Sequence, residues 1–69
     1  MIKFGKYKHY KGNEYEVIGI ARHSETLESI VVYRALYGNH ELWARPEKMF
    51  CETVEVNGGN ILRFEYVGE

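Results

Sequence analysis

Ile30-Val31-Val32-Tyr33-Arg34-Ala35-Leu36-Tyr37, followed at once by Gly38-Asn39-His40, decides the fold. β-branched and aromatic side chains suit a pleated, half-buried surface and lose rotamer freedom on a helix. Apolar residues fall on both faces of the run, which predicts a central strand. Gly38-Asn39-His40 then predicts a hairpin turn into a short strand, Glu41 to Arg45.

Working outward, the same pattern repeats. Phe4 to Tyr10 reads as a first strand, closed by the turn Lys11-Gly12-Asn13. Glu14 to Arg22 reads as a second, with Tyr15, Val17, Gly19 and Ala21 on one face and Ile18 and Ile20 on the other. Pro46 fits a first helical position, so Pro46-Glu47-Lys48-Met49-Phe50 predicts one helical turn that drops Met49 and Phe50 onto the core. Cys51 to Val56 and Ile61 to Val67 read as the last two strands, joined at Asn57-Gly58-Gly59-Asn60. The expected fold is all-β: a small SH3-like barrel of five or six antiparallel strands, with one short helical turn near residues 46–50. An OB-fold is the nearest competitor, but it wants a longer helix than any 3.6-residue period here supports.

Composition agrees. Ile, Val, Thr and the aromatics supply 23 of the 69 residues, Ala and Leu only 7. A chain this short makes a single domain, residues 1–69, with a small core. Large enzyme folds are excluded by length. One cysteine, Cys51, rules out an internal disulfide, fits the cytoplasm, and reads as a small buried hydrophobe. His9, His23 and His40 show no metal-ligand spacing with it, so no metal and no cofactor is expected. No apolar run is long enough to span a membrane. The net charge is −1. Residues 1–11 carry Lys3, Lys6, Lys8 and Lys11 without an acid, which leaves room for a local basic patch.

Two groups of residues could carry chemistry. Arg22, His23, Ser24, Glu25 and Thr26 lie in the longest polar interruption. Its His, hydroxyls and carboxylate suggest acid–base work by His23 and Glu25, yet neighbouring side chains point apart and a triad needs members that the fold brings together. The plainer reading is a turn in which Ser24 and Thr26 cap backbone groups. The second group is aromatic and basic: Tyr7, His9, Tyr10, Tyr33, Arg34, Tyr37, Trp43 and Arg45. Such side chains dominate binding surfaces, and they also fill cores. On a strand Trp43 and Arg45 share one face. Either Leu42 and Ala44 face the core and the pair is displayed, or Trp43 covers the barrel end while Arg45 pairs with a Glu. His9 reads as a hydrogen-bonded core residue.

Several blocks in order carry a resemblance. They are Gly5-Lys6-Tyr7-Lys8-His9-Tyr10-Lys11-Gly12, Tyr15-Glu16-Val17, Ala21-Arg22-His23-Ser24-Glu25-Thr26, Val31-Val32-Tyr33-Arg34-Ala35-Leu36-Tyr37 and Leu42-Trp43-Ala44-Arg45-Pro46-Glu47-Lys48-Met49-Phe50. The chain resembles a small bacterial family known as domain-of-unknown-function family 1653. It departs from that family's pattern at Leu62, where a Pro is expected before Arg63-Phe64. The resemblance implies a stand-alone cytoplasmic SH3-like barrel and supplies no activity or catalytic residue.

The resulting expectation is a non-enzymatic binding module. The Arg22–Thr26 loop and the Trp43/Arg45 strand would form a groove with Tyr7, Tyr10 or Tyr33, and Arg22, Arg34 and Arg45 would hold negative groups. Its partner would be a peptide, an anionic small molecule or single-stranded nucleic acid. The alternatives are a small enzyme using the His23–Thr26 loop and an assembly module, the domain being a monomer or a weak homodimer through a sheet edge.

Overall fold

The computed structural model describes residues 2–68. Seven strands and one helical turn follow in order: β1 (Gly5–His9), β2 (Glu14–Arg22), β3 (Ser29–Ala35), β4 (Leu42–Pro46), α1 (Glu47–Phe50), β5 (Thr53–Val56), β6 (Gly59–Leu62) and β7 (Phe64–Gly68). The main sheet is five-stranded and antiparallel, in the order β4-β3-β2-β1-β7, and β5 and β6 form a separate hairpin. β1 is flanked by β2 and by β7, so the first and last strands close the fold. This is the all-β, SH3-like arrangement that the pattern of short strands implied.

β3 is an interior strand of the sheet, between β2 and β4. Val31, Tyr33 and Ala35 are buried, while Ile30, Val32 and Arg34 between them are only partly covered. On the inner face Tyr7, Val17, Val31, Tyr33, Phe50 and Phe64 make one cluster, with Tyr15 and Tyr66 packed against it. The outer face pairs charges across strands: Lys6 lies opposite Glu16, which lies opposite Arg34, and Lys8 lies between Glu14 and Glu65. Opposite charges in register stabilise a sheet face. The basic run at the start of the chain is therefore interleaved with acids.

Four details differ from the pattern read in the sequence. First, the register shifts between Val17 and Gly19. Ile18 is the extra residue of a bulge, so Gly19 lies opposite Val32 and Ile20 opposite Val31, which reverses the faces beyond it. Second, Pro46 still belongs to β4 and caps α1 from outside, with φ −51° and ψ 138°. Phe50 is then buried, but Met49 points to solvent. Third, the final run is two strands. At Arg63 the backbone changes partners, its N–H donating to the Glu52 carbonyl at 3.0 Å and its carbonyl accepting from the Tyr10 N–H at 2.9 Å. β6 stays with β5 across Asn57 and Gly58 (φ 51° and 82°), a two-residue turn that Asn-Gly suits, and β7 crosses to β1. Fourth, Cys51 is exposed rather than buried.

Phe64 stacks on Phe50 with ring centroids 4.1 Å apart and planes 4° apart. Removing a buried Phe side chain costs about 3–5 kcal/mol, against a total of about 5–15 kcal/mol for a native domain. Phe64→Ala should therefore lose most of its cooperative urea transition. Leu27 shows the reverse case: it is 63% exposed and holds φ at 64°, a region costly for a side chain with a Cβ. Leu27→Gly should raise the urea midpoint by the equivalent of up to about 1 kcal/mol.

Candidate functional site

The inner face ends in a cluster of rings and cations. β4 runs antiparallel to β3 with Trp43 opposite Tyr33 and Arg45 opposite Val31. Residues directly opposite share a face. Trp43 and Arg45 therefore lie on the core side of the sheet at its edge, and Leu42 and Ala44 are the outward pair. Trp43 remains 49% exposed because, among the described residues, no strand lies beyond β4. Arg45 reaches inward: its Nε donates to the Tyr33 hydroxyl at 3.4 Å, and its guanidinium carbon sits 5.8 Å from the Phe64 ring centroid. Among the described residues no carboxylate lies within 4.0 Å of it, so its partners are a phenol and a ring rather than a Glu.

His9 stands at the far end of β1. Its ring lies 4.9 Å from Phe64 and 4.7 Å from Tyr10, and its Nδ1 accepts the Lys11 backbone N–H at 3.2 Å. Burial holds its pKa below the usual imidazole value, and the positive charges of Arg45, Arg63 and Lys11 push the same way. Arg63 reaches one acid, Glu52, at 3.6 Å, and its Nε is buried without a hydrogen-bond partner among the described residues. Lys11 Nζ lies 5.8 Å over the Tyr10 ring. Tyr15 completes the wall. Its hydroxyl shares a 2.8 Å hydrogen bond with that of Tyr37, and burial together with that bond pushes its pKa up to about 12.

The residues singled out in the sequence scatter over four places. Tyr33, Trp43 and Arg45 come together, Tyr33 giving its hydroxyl to the site and its ring to the core. Tyr10 joins through His9. Tyr7 is core, its hydroxyl donating to the Lys3 carbonyl at 2.7 Å. Arg34 lies on the outer face and donates to the His40 carbonyl at 3.0 Å.

Arg22, His23, Ser24, Glu25 and Thr26 lie beyond the Ser29 end of β3. Trp43 pairs four residues further along, roughly 13 Å away at about 3.3 Å per residue. The loop spends its polar atoms on itself. His23 Nδ1 accepts the N–H of Glu25 (3.1 Å) and of Thr26 (3.3 Å), Thr26 Oγ1 accepts that of Glu28 (3.2 Å), and Arg22 Nη1 donates to the Leu27 carbonyl (3.0 Å). The expected capping is thus real, with His23 in the part assigned to Ser24. The single groove of loop plus Trp43 strand is not formed. His9, Tyr15, Arg63 and Phe64 were missed as site residues. Only the fold brings them to Arg45, and a lone His beside Tyr is the one local signal they leave.

Cys51 borders a cavity of about 290 Å³ lined by Ile2, Tyr7, Phe50, Leu62 and Tyr66. Shelter there, with Glu47 nearby, raises its thiol pKa, the opposite of what a nucleophile needs. Among the described residues no His, Cys, Asp and Glu side chains group to hold a metal ion, and no helix is long and apolar enough to cross a membrane.

Comparison with protein families matches residues 5–66 to the family described as a protein of unknown function, DUF1653. A crystal structure of a DUF1653 protein from Bordetella bronchiseptica is similar at 40% identity with a TM-score of 0.88, over 97% of this chain and 88% of that one. No curated protein matches the chain.

Because the folded state disfavours charged His9, its contribution to stability is complete above the unfolded value of 6.5 and falls as pH drops below it. Urea midpoints taken from pH 7.5 down to pH 5 should decline, and His9→Gln should flatten that decline. An unchanged slope in the variant would place the acid sensitivity elsewhere.

Proposed function

The chain belongs to the DUF1653 family, and from that premise and the site's geometry we propose a non-enzymatic binding module for a ligand with a negative group beside a flat ring. One observation carries this reading: Arg45 is held over Phe64 and against the Tyr33 hydroxyl, with no carboxylate within 4.0 Å among the described residues and a half-exposed Trp43 on the same face. A guanidinium in partly apolar surroundings is weakly hydrated and presents unused donors in a planar fork. A carboxylate or phosphate would meet them at low desolvation cost, and Trp43 would stack on the attached ring. Arg63 and Lys11 add positive potential at the same end of the barrel.

A non-enzymatic role is supported by the His23–Thr26 loop, where the His23 nitrogen is engaged by backbone donors. A monomer is the proposed state. The free edge of β4 is five residues long and ends on Pro46, which has no N–H to offer a second copy. The free thiol of Cys51 fits a proposed cytoplasmic location.

Benzoate carries the required pair of groups, and benzyl alcohol is its neutral control. In a ¹⁵N-labelled sample benzoate should shift the Trp43 indole and the amides of Tyr33 and Arg45, and benzyl alcohol should shift them far less. Arg45→Gln should weaken benzoate at least about tenfold, the worth of one charge-assisted contact. Trp43→Ala should also weaken it while keeping a cooperative melt. Equal shifts from both probes, or full affinity in Arg45→Gln, would sink the reading.

A further inference from the structure

A second feature lies on the other side of His9. The β5–β6 hairpin leans over the end of β1 and leaves a cleft of about 420 Å³ lined by Lys8, His9, Tyr10, Ile61, Leu62 and Glu65. One wall is aromatic: the His9 and Tyr10 rings lie 4.7 Å apart with a 34° tilt. The facing wall is aliphatic, with Ile61 44% and Leu62 51% exposed. All four β6 residues are exposed, although Leu62 also borders the cavity beside Cys51.

We propose that this cleft takes the base of a nucleoside monophosphate, slotted between the Tyr10/His9 rings and Ile61/Leu62, with its phosphate at Lys11. The volume falls within the range of small-molecule sites, about 300–1,000 Å³. An aromatic wall is worth a stacked base because every base has a π-face. The Lys11 ammonium lies 5.8 Å over the Tyr10 ring with no carboxylate within 4.0 Å among the described residues, whereas Lys8 lies opposite Glu65. Glu65 is the one acid in the lining. It repels a phosphate placed beside it and accepts a hydrogen bond from an exocyclic amine, which orients the ring and favours adenine over uracil.

Charge favours a single nucleotide over a strand. A single-strand binder needs a basic groove that follows several phosphates. Here Lys8 lies between Glu14 and Glu65, Lys6 lies opposite Glu16, and the chain carries −1 overall. The Lys11 ammonium at this cleft suits one phosphate rather than a run of them. This inference rests on the binding-module reading for its sense, and the two can fail separately.

The test is chemical-shift titration of ¹⁵N-labelled protein with adenosine monophosphate, adenosine, uridine monophosphate, inorganic phosphate and a ten-residue oligodeoxycytidine. Adenosine monophosphate should shift Tyr10, Ile61, Leu62 and Glu65, more strongly than adenosine or phosphate alone. Uridine monophosphate should bind several-fold more weakly. Tyr10→Ala should weaken adenosine monophosphate about tenfold, the value of one lost stack. Lys11→Gln should weaken the monophosphate and leave adenosine unchanged. Tyr10 lies in an exposed turn, and Tyr10→Leu, which keeps apolar bulk without the ring, guards against a merely structural effect: it should weaken binding too. No shift in the cleft residues, or an undiminished affinity in both Tyr10 variants, overturns the proposal. So does an oligonucleotide that binds a hundredfold more tightly than the monophosphate. If benzoate still binds at Arg45 while the nucleotides are silent, the nucleotide inference alone falls; if every probe is silent, both fall.

Discussion

Phe64 is the residue through which the elements of this small domain touch. Its ring stacks on Phe50 of α1 and meets His9, Tyr15 and Tyr33 edge-on, and Arg45 covers it from β4. Among the described residues β4 and β7 are the two free edges of the sheet, and no hydrogen-bond ladder joins them. Side chains do that work instead, with Arg45 and Phe50 reaching across from one edge to Phe64 on the other. A chain with few leucines and no disulfide has to close its core with rings, which bury large areas and prefer edge-to-face packing. The candidate site is the solvent side of that same closure.

The arrangement also separates two uses of charge. On the outer face acids and bases alternate across β7, β1, β2 and β3, so their fields cancel locally. Around His9 at the end of β1, Arg45, Arg63 and Lys11 converge with Glu52 as the nearby acid in contact with Arg63. Net charge says nothing of this. A chain at −1 can still hold a positive spot, because the sheet sorts residues by parity and neutralises one side only.

The same parity explains what could be read in advance. β2 has the bounds read from the sequence, Glu14 to Arg22, and β3, the Asn57-Gly58 turn and the burial of Phe50 follow from local chemistry. The inversion beyond Val17 could not be read, because a bulge costs one residue and leaves no mark in an apolar run such as Ile18-Gly19-Ile20. The side taken by Trp43 and Arg45 depended on the register between β3 and β4, which amphipathic alternation fixes only when one face is clearly polar; Leu42-Trp43-Ala44-Arg45 has no such face. The break at Arg63 depends on partners in Tyr10 and Glu52, more than fifty and about ten residues away in the chain. His9 and Arg63 joined the site for the same reason: their meeting with Arg45 is a property of the closed barrel.

That closure sets an order of events. β1 is the first strand made, yet half of its backbone partners lie in β7, residues 64–68. Local hairpins such as β2–β3 and β5–β6 can form early because their loops are short, whereas the β1–β7 pairing must close nearly the whole chain. Until it does, one edge of β1 is bare and Phe50 lacks its stacking partner. Folding of this domain is therefore expected to be limited by its last strand, and the ring cluster around Phe64 assembles at the end of the process, not as its nucleus.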